Sequence, residues 1–132
     1  MATLAQPPLP KPLQGEIWYV RIPADPPEYI ARPVVVVSLN SRNTNERAST
    51  VLVVPLSATL KDPPLATNIR LSPGATGLQE ISELQCANVT TIRKTQLKQS
   101  KEKLRRLTPA QLTAIARRVS LAMGVFPEDF NP

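Results

Sequence analysis

The chain of 132 residues contains no histidine. That absence excludes Ser-His-Asp and Cys-His nucleophilic sites, histidine zinc ligation and any histidine general base. One cysteine, Cys86, cannot form an internal disulfide, so a reducing cytoplasm is the simplest setting. Four glycines stand apart at 15, 74, 77 and 124, so no glycine-rich phosphate loop is present. Aromatic residues are only 4% of the chain, which leaves packing to Val, Leu, Ile and Ala. No apolar run approaches the ~18 residues of a membrane span. The N-terminus, MATLAQPPLPKPLQ, lacks the basic and apolar regions of a secretory signal. Any enzyme here works with Arg, Lys, Glu, Asp, Ser, Thr or Tyr.

What is present begins with charge. The formal net charge is +6. Residues 1–92 hold seven basic and seven acidic side chains, and residues 107–132 balance two against two. The whole excess therefore lies in 93–106, RKTQLKQSKEKLRR, with seven basic residues and one acid. A polyanion such as nucleic acid suits this segment. So does a solvated face or linker before the following helix.

Apolar patterning predicts a mainly β domain. Residues 1–14, with four prolines, read as an extended, mobile arm. GEIWYVRI (15–22) alternates, with Ile17 and Tyr19 on one face and Trp18, Val20 and Ile22 on the other. VVVVSL (34–39) is an unbroken apolar run, as a strand buried on both faces requires. TVLVVPLS (50–57) is a third strand and TNIRLS (67–72) a fourth. SELQCANVTTI (82–92) reads as a further strand with Leu84 and Cys86 inward and a bend near Asn88. Stretches 23–33, 40–49 and 58–66 are proline-rich or polar loops. LTPAQLTAIARRVSLAMG (107–124) opens with Thr108, Pro109 and Gln111, a capping box with proline at the first helical position. Its stripe of Leu112, Ile115, Ala116, Val119 and Ala122 or Met123 fits a helix docked on the sheet, stopped by Gly124. The expected class is a small antiparallel barrel or coiled sheet with a C-terminal helix.

If strands 34–39 and 50–57 form a hairpin through 40–49, Arg32 and Ser57 fall at the same end. A guanidinium and a hydroxyl then lie side by side under a proline-stiffened loop that contains Glu28. Arginine presents a planar fork to phosphate oxygens and stays charged. RNA brings its own nucleophile, the 2′-hydroxyl, so such a site needs neither metal nor histidine. The same residues also fit a rim charge paired with Glu28 and a turn serine.

The ordered set GEIWYVRI (15–22), RPVVVVS (32–38), VLVVPLS (51–57), NVTTIRK (88–94) and LTPAQLTAIARRVSLAMG (107–124) resembles the MazF/PemK (Kid-like) family of type II toxin endoribonucleases. The resemblance spans 15–124 as one domain, with a flexible arm at 1–14 and a tail at 125–132. It implies an SH3-like antiparallel β-barrel of the CcdB/MazF type with a C-terminal helix, assembled as a homodimer. It implies metal-independent, sequence-selective cleavage of single-stranded RNA to a 2′,3′-cyclic phosphate, with no cofactor. Arg32 matches the family's active-site arginine and Ser57 its strand-end hydroxyl, with Glu28 the nearest loop acid. Tyr29, Thr59, Lys61, Arg42, Lys98 and Lys101 are then candidate RNA contacts, and loops 23–31, 40–49 and 58–66 would cradle unpaired bases. A cognate antitoxin with an acidic, partly disordered tail is the implied protein partner, and no membrane is involved. The sequence departs from the family pattern in DPPEYIARP, which has no glycine, in Ser57 for threonine, in Asn88 for glutamine and in a longer basic insert. The same barrel also serves CcdB-like gyrase poisons, in which Arg32 would be structural. An inactive RNA- or protein-binding member is the remaining alternative.

Overall fold

The valine run sets the centre of the molecule. The computed structural model describes residues 9–29 and 31–125. Among these, β1 (Ile17–Val20), β2 (Arg32–Val36), α1 (Asn40–Asn43), β3 (Thr50–Ser57), β4 (Asn68–Leu71), α2 (Pro73–Thr76), β5 (Ser82–Gln85), β6 (Thr90–Arg93) and α3 (Pro109–Ala122) follow in order. All strand pairings are antiparallel, along the path β1-β2-β3-β5-β4, with β6 also on β3. Val35 enters one core with Ile17, Val54, Leu56, Leu84, Cys86 and Ile115. Val34 and Val36 enter a second core with Trp18, Val20, Val51, Val53 and Ile92. Two cores on opposite faces explain why β2 carries no polar residue between Val34 and Val36.

β3 is long enough to serve three partners. One edge meets β2, in the register Val34↔Pro55 to Val36↔Val53. The other edge meets β6 over Thr50–Val53 and then β5 at Leu56 and Ser57. Pro55 has no N–H to give, and it lies in the gap after β3 leaves β6 and before it meets β5. The chain between β5 and β6 crosses that gap as a 3-10 turn, Cys86–Asn88, at the bend expected near Asn88.

Helix α3 forms through the capping box. Gln111 N–H donates to Thr108 Oγ1 at 3.2 Å, and Thr108 N–H donates to Gln111 Oε1 at 2.8 Å. Its buried stripe is narrower than the pattern predicts: Ile115 is buried and Leu112 and Val119 are half-buried, whereas Ala116, Ala122 and Met123 face solvent.

The basic segment before α3 is a strap, which corrects the solvated-linker reading. Tyr19 and Lys98 exchange both backbone hydrogen bonds, at 2.8 and 2.9 Å, so the strap pairs with the outer edge of β1. Arg105 N–H then donates to Thr76 C=O and Leu107 N–H to Gly15 C=O, both at 2.8 Å. Leu97 and Leu107 are buried beneath it. The strap thus spans from β1 to the turn after α2, across a sheet whose strands do not themselves close a ring. Gly15 (φ 92) and Gly77 (φ 83) lie under it, where a Cβ would stand 2.8 Å from the carbonyl oxygens of Leu107 and Lys103 respectively.

The hairpin loop 40–49 contains α1 and is held from inside. Lys94 is 1% exposed, and its Nζ donates to the carbonyls of Arg42 and Asn45 at 2.9 and 2.8 Å. Burial, with Arg42 and Lys11 nearby, pushes this amine below the usual lysine value. Residues 11–14, read as part of a mobile arm, pack here too. Gln14 N–H donates to Asn40 Oδ1 at 2.7 Å, and Lys11 pairs with Glu46 at 3.6 Å. Arm residues 1–8 and tail residues 126–132 lie outside the described residues. No described helix is long and apolar enough to cross a membrane.

Candidate active site

Carrying the β2–β3 register two positions past Val34↔Pro55 sets Arg32 opposite Ser57. Facing residues of an antiparallel pair point to the same side of a sheet, so the guanidinium and the hydroxyl share one face. Both line a cleft of about 730 Å³ with Tyr19, Glu28, Tyr29, Thr59, Glu80 and Glu102 among its walls. The volume falls in the range of small-molecule and nucleotide pockets.

Arg32 is mounted rather than loose. Pro33 follows it, Val20 pairs with it across β1, and its side chain is 22% exposed. Its Nε lies 3.2 Å from Asp25 Oδ2, whose side chain is 13% exposed. The Nε–H is out of line for a hydrogen bond, so the contact is an ion pair held by proximity. No hydrogen bond joins either terminal guanidinium nitrogen to a described residue. The fork that matches phosphate oxygens is therefore the part of Arg32 left open to the cleft. Asp25 reaches this position because its N–H closes a turn onto Ile22 C=O at 3.0 Å. The carboxylate on Arg32 is thus Asp25, not Glu28. Glu28 lines the cleft from an exposed loop position, beside Tyr29, which is 57% exposed.

Ser57 Oγ accepts the Thr59 N–H at 3.1 Å, which turns the chain as it leaves β3. That bond uses an acceptor lone pair and leaves the Ser57 O–H able to donate toward the cleft. Ser57 also faces Glu83 of β5 across the other edge of β3. Glu83 is 1% exposed, accepts the Lys61 N–H at Oε1 and takes Asn68 Nδ2 at 3.2 Å. The Lys61 N–H, chiefly, together with Asn68 and Arg70, holds its carboxyl below the usual value against the opposing effect of burial.

The other sequence candidates fall in three places. Thr59 lines the cleft, and Lys61, two residues farther along the chain, is exposed but is not one of its lining residues. Lys98 and Lys101 sit on the strap next to the cleft, because Tyr19 pairs with Lys98 and Glu102 is a lining residue. Burial, and the charge of Glu102, raise the Tyr19 hydroxyl above its ordinary value. Arg42 is not brought to the cleft. It stands on α1, donating from Nε to Thr50 C=O at 3.1 Å and from Nη2 to Thr50 Oγ1. A hairpin whose open end carries Arg32 and Ser57 carries its loop at the other end, so loop 40–49 does not wall this cleft either. Sequence reasoning missed Asp25, Tyr19 and Glu102. A signal existed for Asp25, the first of two acids in a loop stiffened by prolines. None existed for Glu102, whose position depends on the strap.

Comparison with known proteins agrees with this architecture. The family model of the PemK-like, MazF-like toxins of type II toxin–antitoxin systems matches residues 13–123. No curated protein matches the chain. Among solved structures, an endoribonuclease from a mycobacterial species, in complex with its cognate antitoxin, is 24% identical, with a TM-score of 0.64 over 86% of this chain and 95% of that one. The Mycobacterium tuberculosis toxin MazF-mt6 is 23% identical, with a TM-score of 0.65 over 83% of this chain and 97% of its own. MazF of a MazE–MazF complex from Deinococcus radiodurans is 13% identical, with a TM-score of 0.63 over 87% and 98%. At these identities the structural likeness is one of fold, and it is the family match over most of the chain that decides membership. The chain belongs to the PemK-like, MazF-like toxins of type II toxin–antitoxin systems.

Proposed function

We propose that this toxin is a metal-independent endoribonuclease that cuts single-stranded RNA at selected sequences. The observation that carries the reading is Arg32, anchored at Nε beside Asp25 with its terminal fork open to a cleft that also holds Ser57. In the proposed step the 2′-oxygen attacks the adjacent phosphorus and the bond to the 5′-oxygen breaks, leaving a 2′,3′-cyclic phosphate. Negative charge grows on the non-bridging oxygens, and Arg32 neutralises it from a fixed position. Arg32 also gives a proton to the departing 5′-oxygen and regains one from solvent. Ser57 donates a hydrogen bond from its hydroxyl to the scissile phosphate, with Thr59 as a helper. Glu28, an exposed carboxylate of the cleft, takes the 2′-proton. Asp25 serves as the anchor of Arg32 and is spent on that contact.

Tyr29 offers a ring on which an unpaired base stacks. Lys61, two residues beyond Thr59, and Lys98 and Lys101 on the strap meet flanking phosphates. The strap's backbone is pinned at Lys98 and Arg105, so less order is lost on binding than with a mobile tail. The toxin acts as a homodimer in the cytoplasm and is neutralised by a cognate antitoxin whose acidic, partly disordered tail competes with RNA for the same cations.

The test is cleavage of a single-stranded RNA by the purified chain in the presence of EDTA. Wild type should cleave and yield a cyclic phosphate end. Arg32→Ala should lose cleavage while keeping its circular dichroism spectrum and urea midpoint. Normal cleavage by Arg32→Ala, or none by folded wild type, sinks the proposal.

A further inference from the structure

We infer that Glu83 and Arg70 form a two-sided grip on the main chain of Lys61, which sets the wall of the cleft facing Arg32; Glu83 is thereby a positioning residue for Ser57 and Thr59. The inference rests on the endoribonuclease reading. Glu83 lies on β5 directly across from Ser57, and its carboxylate is sealed from solvent. A buried carboxylate is costly to desolvate, and an apolar residue would fill the same strand position more cheaply. Its bonds show what the charge holds. Oε1 takes the N–H of Lys61 and lies 3.8 Å from Arg70 Nε, while Oε2 takes Asn68 Nδ2. Arg70 then donates from Nη2 to the Lys61 carbonyl at 2.6 Å. The two peptide groups that flank the Lys61 Cα are thus both caught, the preceding one by its N–H on the carboxylate and the following one by its C=O on the guanidinium.

Both members of the pair belong to β4 and β5, which are paired in register at Arg70↔Glu83. The grip is therefore built on sheet, and it reaches into a loop. Between Ser57 and Lys61 the chain has only three residues, and the first of its turns is fixed by Ser57 Oγ accepting the Thr59 N–H. Ala58 and Thr59 face the cleft. Releasing Lys61 frees the segment that decides where the Ser57 hydroxyl and Thr59 point. Farther on, Arg118 of α3 donates to the Ala66 carbonyl, so the loop's end is tied independently and the slack falls on 58–61.

Glu83→Gln tests this, because it keeps size and loses the charge that holds Arg70. In steady-state cleavage of a single-stranded RNA oligonucleotide by the full chain, kcat should fall about 10- to 100-fold with little change in KM, as expected for a displaced reacting group. Arg70→Ala should give a smaller loss. Glu83→Gln should add little to Ser57→Ala, because both act on one wall; a mere loss of stability would multiply with it. Amide exchange read residue by residue supplies the second measurement: Lys61 should exchange slowly in wild type and fast in Glu83→Gln. Wild-type kcat in Glu83→Gln, full additivity with Ser57→Ala, or equal exchange at Lys61 overturns the inference. A folded wild type that cleaves nothing overturns the endoribonuclease reading instead, and the exchange data then decide the grip alone.

Discussion

Consider replacing Gly77 by alanine. The new Cβ would stand 2.8 Å from the Lys103 carbonyl oxygen, 3.1 Å from Leu104 Cα and 3.3 Å from Arg105 N, all of them backbone of the strap. Gly77 also has φ 83, a left-handed conformation that costs an L-residue about 1–2 kcal/mol. Gly124 is the natural control, with φ 77 and nothing within 4 Å of its Cβ position. After the ~0.4–1 kcal/mol returned by stiffening the unfolded chain, Gly124→Ala should cost about 1 kcal/mol or less. Gly77→Ala must in addition push the strap outward. That breaks the Arg105–Thr76 hydrogen bond, worth about 1 kcal/mol, and loosens Leu104 and Leu107 for about 1–2 kcal/mol more. The total is about 3 kcal/mol. Urea unfolding with a common slope should rank the variants Gly124→Ala above Gly77→Ala by about 2 kcal/mol, and thermal midpoints should differ by about 6–10 °C for a chain of this size. Equal midpoints for the two variants would mean that the strap does not rest on Gly77, and the closure of the sheet described above would be wrong.

Other outcomes follow from single residues. Asp25→Asn keeps the shape of the anchor without its charge; RNA cleavage should fall about tenfold in kcat, with the urea midpoint changed by about 1 kcal/mol or less. An unchanged kcat would remove Asp25 from the site. The Cys86 thiol is buried, and burial pushes it up to about 11, so iodoacetamide at neutral pH should label it only as fast as the protein unfolds. Rapid labelling of the folded protein would contradict the core assignment. The Glu83 carboxyl is held below its ordinary value of 4.5, so its contribution is complete above that pH and is lost as pH falls through the lower, folded value. Wild-type stability should therefore decline between about pH 5 and pH 3 more steeply than that of Glu83→Gln, and parallel acid limbs would exclude Glu83 as a source.

Some of this molecule could be read before any coordinates. The alternation of Trp18 and Tyr19 assigned both to the faces they occupy, because a strand's two-residue period admits one arrangement once one face is apolar. Thr50–Ser57 was bounded by polar residues on both sides and appears with those limits. Thr108, Pro109 and Gln111 identified the start of α3 because capping is local chemistry. The hairpin logic placed Arg32 at the same end as Ser57, and the register agrees. The same logic places loop 40–49 at the opposite end, so Arg42 could have been excluded from the cleft on sequence grounds. Short helices α1 and α2, of four residues each, left no periodic signal in 40–49 or in PGAT. The strap, the Asp25 ion pair and the grip on Lys61 depend on segments far apart in the chain. No local pattern encodes such contacts, since each half is satisfied by water until the fold brings them together.

Lys94 has a consequence for chemistry done on the outside of this protein. The chain has six lysines, and five of them, Lys11, Lys61, Lys98, Lys101 and Lys103, are exposed. Lys94 keeps its ammonium behind the backbone oxygens of Arg42 and Asn45. Acylating reagents should therefore mark the strap and Lys61 at once and reach Lys94 only when the 40–49 end of the hairpin opens. A single side chain thus serves as an internal clock for that opening, in the same sample in which the other five report what RNA or an antitoxin shields.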